Sequence, residues 1–160
     1  MRYQKIKDLV ENVIEPSINF IKRTRKRNSM PFKDIESMIK IFFPKTKYTE
    51  TGKGFFKHVF VVHSNKKNLV LKIGRSKKHI RKDYTTYKMV VKNGGGKYFA
   101  KIHWRHNLFM LQKYGKEVKV PEKEILKLKK IGKIYDLKDV REANIMKFGN
   151  KFKIVDAERK

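Results

Sequence analysis

Three oxygen-bearing side chains near the end of the chain have types and spacing suited to chemistry. Asp139-Val-Arg141-Glu-Ala-Asn144 is followed, twelve residues after Asn144, by Asp156 at the close of the run Phe-Lys-Ile-Val-Asp. A carboxylate at Asp139 can accept a hydroxyl proton, while an amide at Asn144 and a second acid at Asp156 can hold a hard cation. Together they form a pattern suited to phosphoryl transfer, which depends on positioning and charge neutralisation more than on covalent help. The plainer alternative is a polar turn before a hairpin.

Upstream residues supply other parts of the same chemistry. Gly52-Lys53-Gly54 lies in a β-type region where glycines let backbone N–H groups approach phosphate oxygens, and Val59 on the next strand could cover a base. Taken alone, Gly-x-Gly also fits an ordinary hairpin turn. Lys72 closes the apolar run Leu69-Val70-Leu71, and its ammonium needs a carboxylate to hold it. Asp83, eleven residues later, is the one acid between Glu50 and Glu117. It is predicted on the inward edge of a helix, although it could also be a surface charge among lysines.

These residues must be carried by identifiable elements. Ile6, Leu9, Val10, Val13 and Ile14 make one apolar helical face that Pro16 is expected to interrupt or end. A second helix is predicted from Pro31 to Phe43, capped by Ser29. Short β-type runs then give a meander, Val59–Val62 and Leu69–Ile73 flanking a polar turn. Residues 76–92 return to helical spacing, with Ile80, Tyr84, Tyr87 and Val91 as one stripe. Two strands (98–104 and 108–112), a short helix from Pro121 to Lys130 and a hairpin turning at Gly149-Asn150 complete the reading. The fold class expected is α+β, divided into a helical extension at 1–45, a β-rich lobe at 46–115 and a small lobe at 116–160.

The chain of 160 residues carries a formal charge of +27 and no cysteine. Disulfides and thiolate metal sites are therefore excluded, and any metal must be held by oxygen or histidine. Residues 46–113 hold seventeen basic and two acidic side chains, so the excess is greatest in the middle. Such a field attracts nucleic acid, an acidic protein or nucleotide phosphates, though lysine can also be a generic solvated surface residue. The run Lys22-Arg23-Thr24-Arg25-Lys26-Arg27 has the same two readings. His58, His63, His79, His103 and His106 lack metal spacing and are expected to be structural, as are Trp104, Phe55, Phe56, Tyr98 and Phe99. No run is long and apolar enough to span a membrane, and a cytoplasmic protein is expected.

The order from the glycine hairpin to Asp156 resembles the eukaryotic-type protein-kinase-like superfamily over residues 48–158. The resemblance implies an antiparallel β N-lobe with one helix and a reduced C-lobe. It makes Lys72 the nucleotide-phosphate lysine, Asp83 its helix-borne acid, and Gln112-Lys113-Tyr114-Gly115 the gatekeeper and hinge that bind adenine through backbone groups. Asp139 becomes the catalytic acid, Arg141 a cation beside the γ-phosphate, and Asn144 and Asp156 the Mg²⁺ ligands, with ATP as the donor. Departures include Lys57 at the third glycine of the loop, Leu137-Lys138 before the catalytic acid, and Ala157-Glu158 after Asp156. The activation segment and the later helices of the family are missing.

An ATP- and Mg²⁺-dependent phosphotransferase acting on protein Ser/Thr hydroxyls is the leading expectation. A small-molecule kinase of the same fold, a nucleotide-binding pseudokinase scaffold and a basic nucleic-acid-binding module are the alternatives. The reduced C-lobe also suggests cover from the N-terminal helices or from a partner protein.

Overall fold

A computed structural model describes residues 3–25, 32–42, 48–53, 57–63 and 67–159. The expected loop glycine Gly54, together with Ser29, Pro31, Phe55 and Phe56, lies outside them.

Ile6, Val10, Ile14 and Ile18 recur every four residues, so a helix stacks them in one line, and all four are buried. The line runs through α1 (Tyr3–Leu9), a wide π-helical segment (Val10–Ile14) and α2 (Glu15–Thr24). Pro16 interrupts the regular α-helix, one of the two outcomes expected, but does not end it. Proline has no N–H to donate, and its ring crowds the carbonyl four residues back. The π segment opens the backbone just before it, with the Glu15 N–H reaching the Val10 carbonyl five residues back. Pro16 then sits in the first turn of α2, where a missing donor is tolerated.

Strands β1 (Tyr48–Lys53), β2 (Lys57–Val62) and β3 (Leu69–Gly74) form an antiparallel meander. With β4 (Ile102–His106) and β5 (Phe109–Lys113) they make a five-stranded sheet in the order β1-β2-β3-β5-β4. Alternate residues of a strand face opposite sides. Phe60, Val62, Leu69, Leu71 and Ile73 face one side and join a single core with Ile6, Val10, Ile14 and Ile18, and with Ile35 and Ile39 of α3 (Phe32–Phe42). The turn after β4 is tied to the same helix: Trp104 Nε1 donates to Glu11 at 3.0 Å, Asn107 donates to Glu15, and His106 pairs with Glu15.

The chain divides into two compact units, residues 1–80 with 104–111 and residues 81–103 with 112–160. The helices α1, α2 and α3 of the expected extension at 1–45, read as bracing the β-rich lobe or covering the Asp139 loop, share the core of the first unit with the sheet. The expected boundaries at 45/46 and 115/116 do not coincide with this division.

The second unit contains most of α4 (Lys77–Lys92), α5 (Glu122–Ile134), β6 (Leu137–Lys138), β7 (Ile145–Phe148), β8 (Lys151–Ile154) and β9 (Glu158–Arg159). Val90, Phe99, Val120, Leu128, Leu137, Val140, Ile145 and Ile154 are its core. On α4 the buried line is Ile80, Asp83, Thr86 and Val90, while Val91, expected on the stripe, is 42% exposed. The inward face is thus rotated toward Asp83. The β7–β8 hairpin turns at Gly149, whose φ of 62° a side chain would make costly. The fold is mixed α+β with an antiparallel sheet, and no helix among the described residues is long and apolar enough to cross a membrane.

If the N-terminal helix is integral to the first core, Ile14→Ala should lower unfolding stability by about 2–5 kcal/mol. Chemical denaturation measures this; a loss below about 1 kcal/mol, the scale of ordinary point mutants, would mean that the helix packs only loosely on the sheet.

Candidate functional site

In the first unit, antiparallel register decides which side chains become neighbours. Gly52 stands opposite Val59, and Val59 stands opposite Lys72. Residues directly opposite share a face, so the three form one row across β1, β2 and β3. Their neighbours in register, Phe60 and Leu71, belong to the helix-covered core. The Val59–Lys72 row is consequently on the other face of the sheet. Lys72 is only 5% exposed, so its ammonium depends on partners and not on bulk water. β1 shifts register between Glu50 and Gly52, the local irregularity that glycine accommodates best. His58 lies opposite Ile73 on the core face, buried, with its ring 4.5 Å from that of Phe60, as a structural histidine should be.

In the second unit, Asp139, Arg141, Asn144 and Asp156 gather on one backbone network. Asp139 has φ 63°, a left-handed conformation in which Asp is better tolerated than most residues. The Asn144 side-chain Nδ2 donates to the Asp139 carbonyl at 2.9 Å and closes the loop around this strained residue. Within the loop, the Asn144 N–H donates to the Arg141 carbonyl, and the Val155 N–H donates to the Asn144 carbonyl, both at 2.9 Å. The residue bonded to Asn144 therefore directly precedes Asp156. Asp139 and Arg141 are exposed and accessible to a reactant.

The donor set was tested for a metal by its chemistry. With Nδ2 committed to Asp139, the Asn144 group suited to a cation is the amide oxygen Oδ1, and Asp156 supplies a carboxylate. One amide oxygen and one carboxylate suit Mg²⁺, which usually takes one or two protein carboxylates and completes its shell with water and substrate phosphates. No group of three or more His, Cys, Asp or Glu among the described residues could hold a metal alone. A cation here would thus depend on oxygens from its substrate.

The segment expected as a hinge is held at both ends. The Lys113 N–H donates to Lys101 at 2.8 Å, while Lys116 and Lys147 exchange two backbone bonds of 2.8 and 2.9 Å. Between them, the peptide groups of Tyr114 and Gly115 have no hydrogen-bond partner among the described residues. A Cβ on Gly115 would come within 2.5 Å of the Phe148 ring, so only glycine allows this approach. Gln112 is buried, and its Nε2 donates to the Val155 carbonyl at 3.1 Å, beside Asp156.

Three contacts were not legible from spacing. Glu142 accepts the Val120 N–H at 3.1 Å and pins the Asp139 loop to the segment before α5. Gln112 steadies the backbone that carries Asp156. Glu158, read from the sequence only as a departure, pairs with Lys82 at 2.8 Å and with Lys138 at 3.3 Å. Lys82 precedes Asp83 and Lys138 precedes Asp139, and β6 pairs with β9 so that Lys138 stands opposite Glu158. One carboxylate thereby joins α4 to the start of the Asp139 loop. The only clue in the sequence was that acids are scarce.

The hydrogen bond from Lys82 holds the Glu158 carboxyl below its usual range, and the Lys138 bond adds to the effect. A depressed carboxyl contributes stability above its unfolded pKa and loses it as pH falls through the lower folded value. Glu158→Gln should therefore flatten the acid limb below about pH 4.5 and cost about 0.5–1 kcal/mol at neutral pH. Denaturation midpoints between pH 3 and 7 (the range is about that of carboxyl titration) check this, and an unchanged acid limb would remove Glu158 from the account. No protein-family model and no curated protein matches this chain.

Proposed function

We propose that the chain is an ATP- and Mg²⁺-dependent phosphotransferase of protein-kinase-like architecture, acting on serine or threonine hydroxyls of a protein. The observation that carries this reading is the network in which Asn144 closes the Asp139 loop and, through Val155, lies beside Asp156. A proton acceptor and two oxygen ligands on one short, cross-bonded piece of backbone suit a reaction whose catalysis is largely positioning.

The step balances simply. The acceptor hydroxyl oxygen forms a bond to the γ-phosphorus as the bridging β–γ P–O bond breaks, ADP leaves, and the hydroxyl proton passes to the Asp139 carboxylate. Arg141 offers a fork of donors to phosphoryl oxygens. In the first unit, Lys72 supplies a cation suited to phosphate charge, and Val59 beside it in register supplies an apolar surface suited to a base. The peptide groups of Tyr114 and Gly115, without a hydrogen-bond partner among the described residues, suit the donor and acceptor edge of adenine. Mg²⁺, held by Asn144 and Asp156, would screen the phosphate charge.

Lys72→Ala should weaken ATP binding, and Asp139→Ala should leave ATP bound while phosphate transfer falls by about 10²–10⁴. Calorimetry with ATP and Mg²⁺ measures the first effect; mass spectrometry of protein and metabolite panels measures the second. Phosphorylation of a metabolite alone would move the acceptor class from protein to small molecule. Binding of ATP with no transfer to the chain itself, to either panel or to water would leave a nucleotide-binding scaffold and overturn the catalytic reading.

A further inference from the structure

Lys113 of the expected hinge belongs to a larger cluster of cations in the second unit. Lys101 and His103 are two residues apart and therefore project from the same side of an extended segment, and the Lys113 N–H is bonded to the Lys101 carbonyl at 2.8 Å. On the β7–β8 hairpin, Lys151 stands opposite Phe148 and Lys153 opposite Met146, so both lysines share the face of Phe148. The Lys113 ammonium lies 6.0 Å from the centre of the Phe148 ring, which joins the two strand pairs into one patch. Lys101, His103, Lys113 and Lys151 are exposed, and Lys153 is half-buried.

The members of this patch repel one another. Burial lowers the pKa of Lys153, and the nearby charges of Lys113 and Lys151 lower it further. Burial and the charges of Lys101 and Lys113 do the same to His103. Several cations elsewhere meet carboxylates: Lys82 and Lys138 share Glu158, Lys127 meets Glu124, and Arg25 meets Asp34. Like charges held this closely cost stability until an anion arrives, and a dense polyanion gains most from them.

We propose that Lys101, Lys113, Lys151 and Lys153, arranged around Phe148, form a docking surface for the phosphate backbone of a nucleic-acid strand. A nucleic-acid strand carries one phosphate charge per nucleotide, so one short stretch can neutralise several of these cations. An acidic peptide offers a lower linear charge density and would gain less from the same cations. The phosphates position the strand and carry no sequence information, so binding is expected to be insensitive to base order. The surface adjoins the expected hinge, where Phe148 approaches Gly115, and its proposed role does not depend on phosphotransferase activity.

Fluorescence anisotropy of the full chain with a labelled single-stranded RNA, across about 50–200 mM salt, tests the proposal. Wild type should lose affinity steeply as salt rises, with a log–log slope of about −0.7 per phosphate neutralised. The triple variant K113Q/K151Q/K153Q should bind about tenfold more weakly or worse, with a slope shallower by about 0.7 per lysine removed. A control triple on α5, K123Q/K129Q/K133Q, should change affinity by less than about twofold, since remote exposed charges are screened. The double variant K151Q/K153Q, confined to the hairpin, should show a proportionate loss and guards against misfolding of the triple. Equal losses in patch and control variants would mean that net charge alone attracts RNA and would overturn the assignment. Tighter binding of polyglutamate than of RNA would do the same, in favour of an acidic protein.

Discussion

The two-residue alternation of β2 and β3 is the constraint on which the first unit depends. Phe60, Val62, Leu71 and Ile73 must face one way because they are apolar and the N-terminal helices cover them, burying Ile6, Val10, Ile14 and Ile18 in the same core. That choice forces Val59, Val61, Val70 and Lys72 to the other side. A slip of one residue in register would put Lys72 among isoleucines and Leu71 where Lys72 now stands. The position of the candidate phosphate lysine is thus a by-product of packing. The wide helical segment before Pro16 serves the same end, since it lets one helix supply four aligned isoleucine and valine side chains instead of two short ones.

The second unit is organised by hydrogen bonds around a loop that could not otherwise hold its shape. Asp139 occupies a left-handed conformation, and the Asn144 amide fastens its carbonyl from across the turn. Gln112 and Glu142 add bonds from the strand and from the segment before α5, and Glu158 ties α4 to the residue preceding Asp139. Each of these side chains acts on backbone or on a neighbouring cation, leaving Asp139 and Arg141 exposed. Strain held in place by several independent contacts is typical of sites where geometry must be set before a reactant arrives.

Charge in this molecule is distributed by the same economy. Fifteen acids face forty-two lysines and arginines, so where an acid stands is informative. Glu15 joins a helix to the turn after β4, Glu142 and Glu158 brace the candidate loop, and Asp83 takes a buried place on α4. Lysines, by contrast, are plentiful enough that most positions say little, and only their spatial grouping around Phe148 separates a patch from a solvated surface.

Much was legible before any coordinates. The spacing of Asp139, Asn144 and Asp156, the isolation of Asp83 among acids, the meander and the final hairpin all follow from residue types and period, because local pattern determines which side chains share a face. Other features were not. The passage of the helix through Pro16 depends on a backbone adjustment with no sequence marker, and the rotation of the α4 face toward Asp83 depends on which neighbours bury it. The union of residues 1–45 with the sheet, and the convergence of Gln112, Glu142 and Glu158 on one loop, join residues far apart in the chain. The sequence by itself determined which elements form and which side chains can do chemistry, since both depend on local period and residue type. Only the tertiary structure decided which of those side chains meet, because that depends on register and on long-range burial.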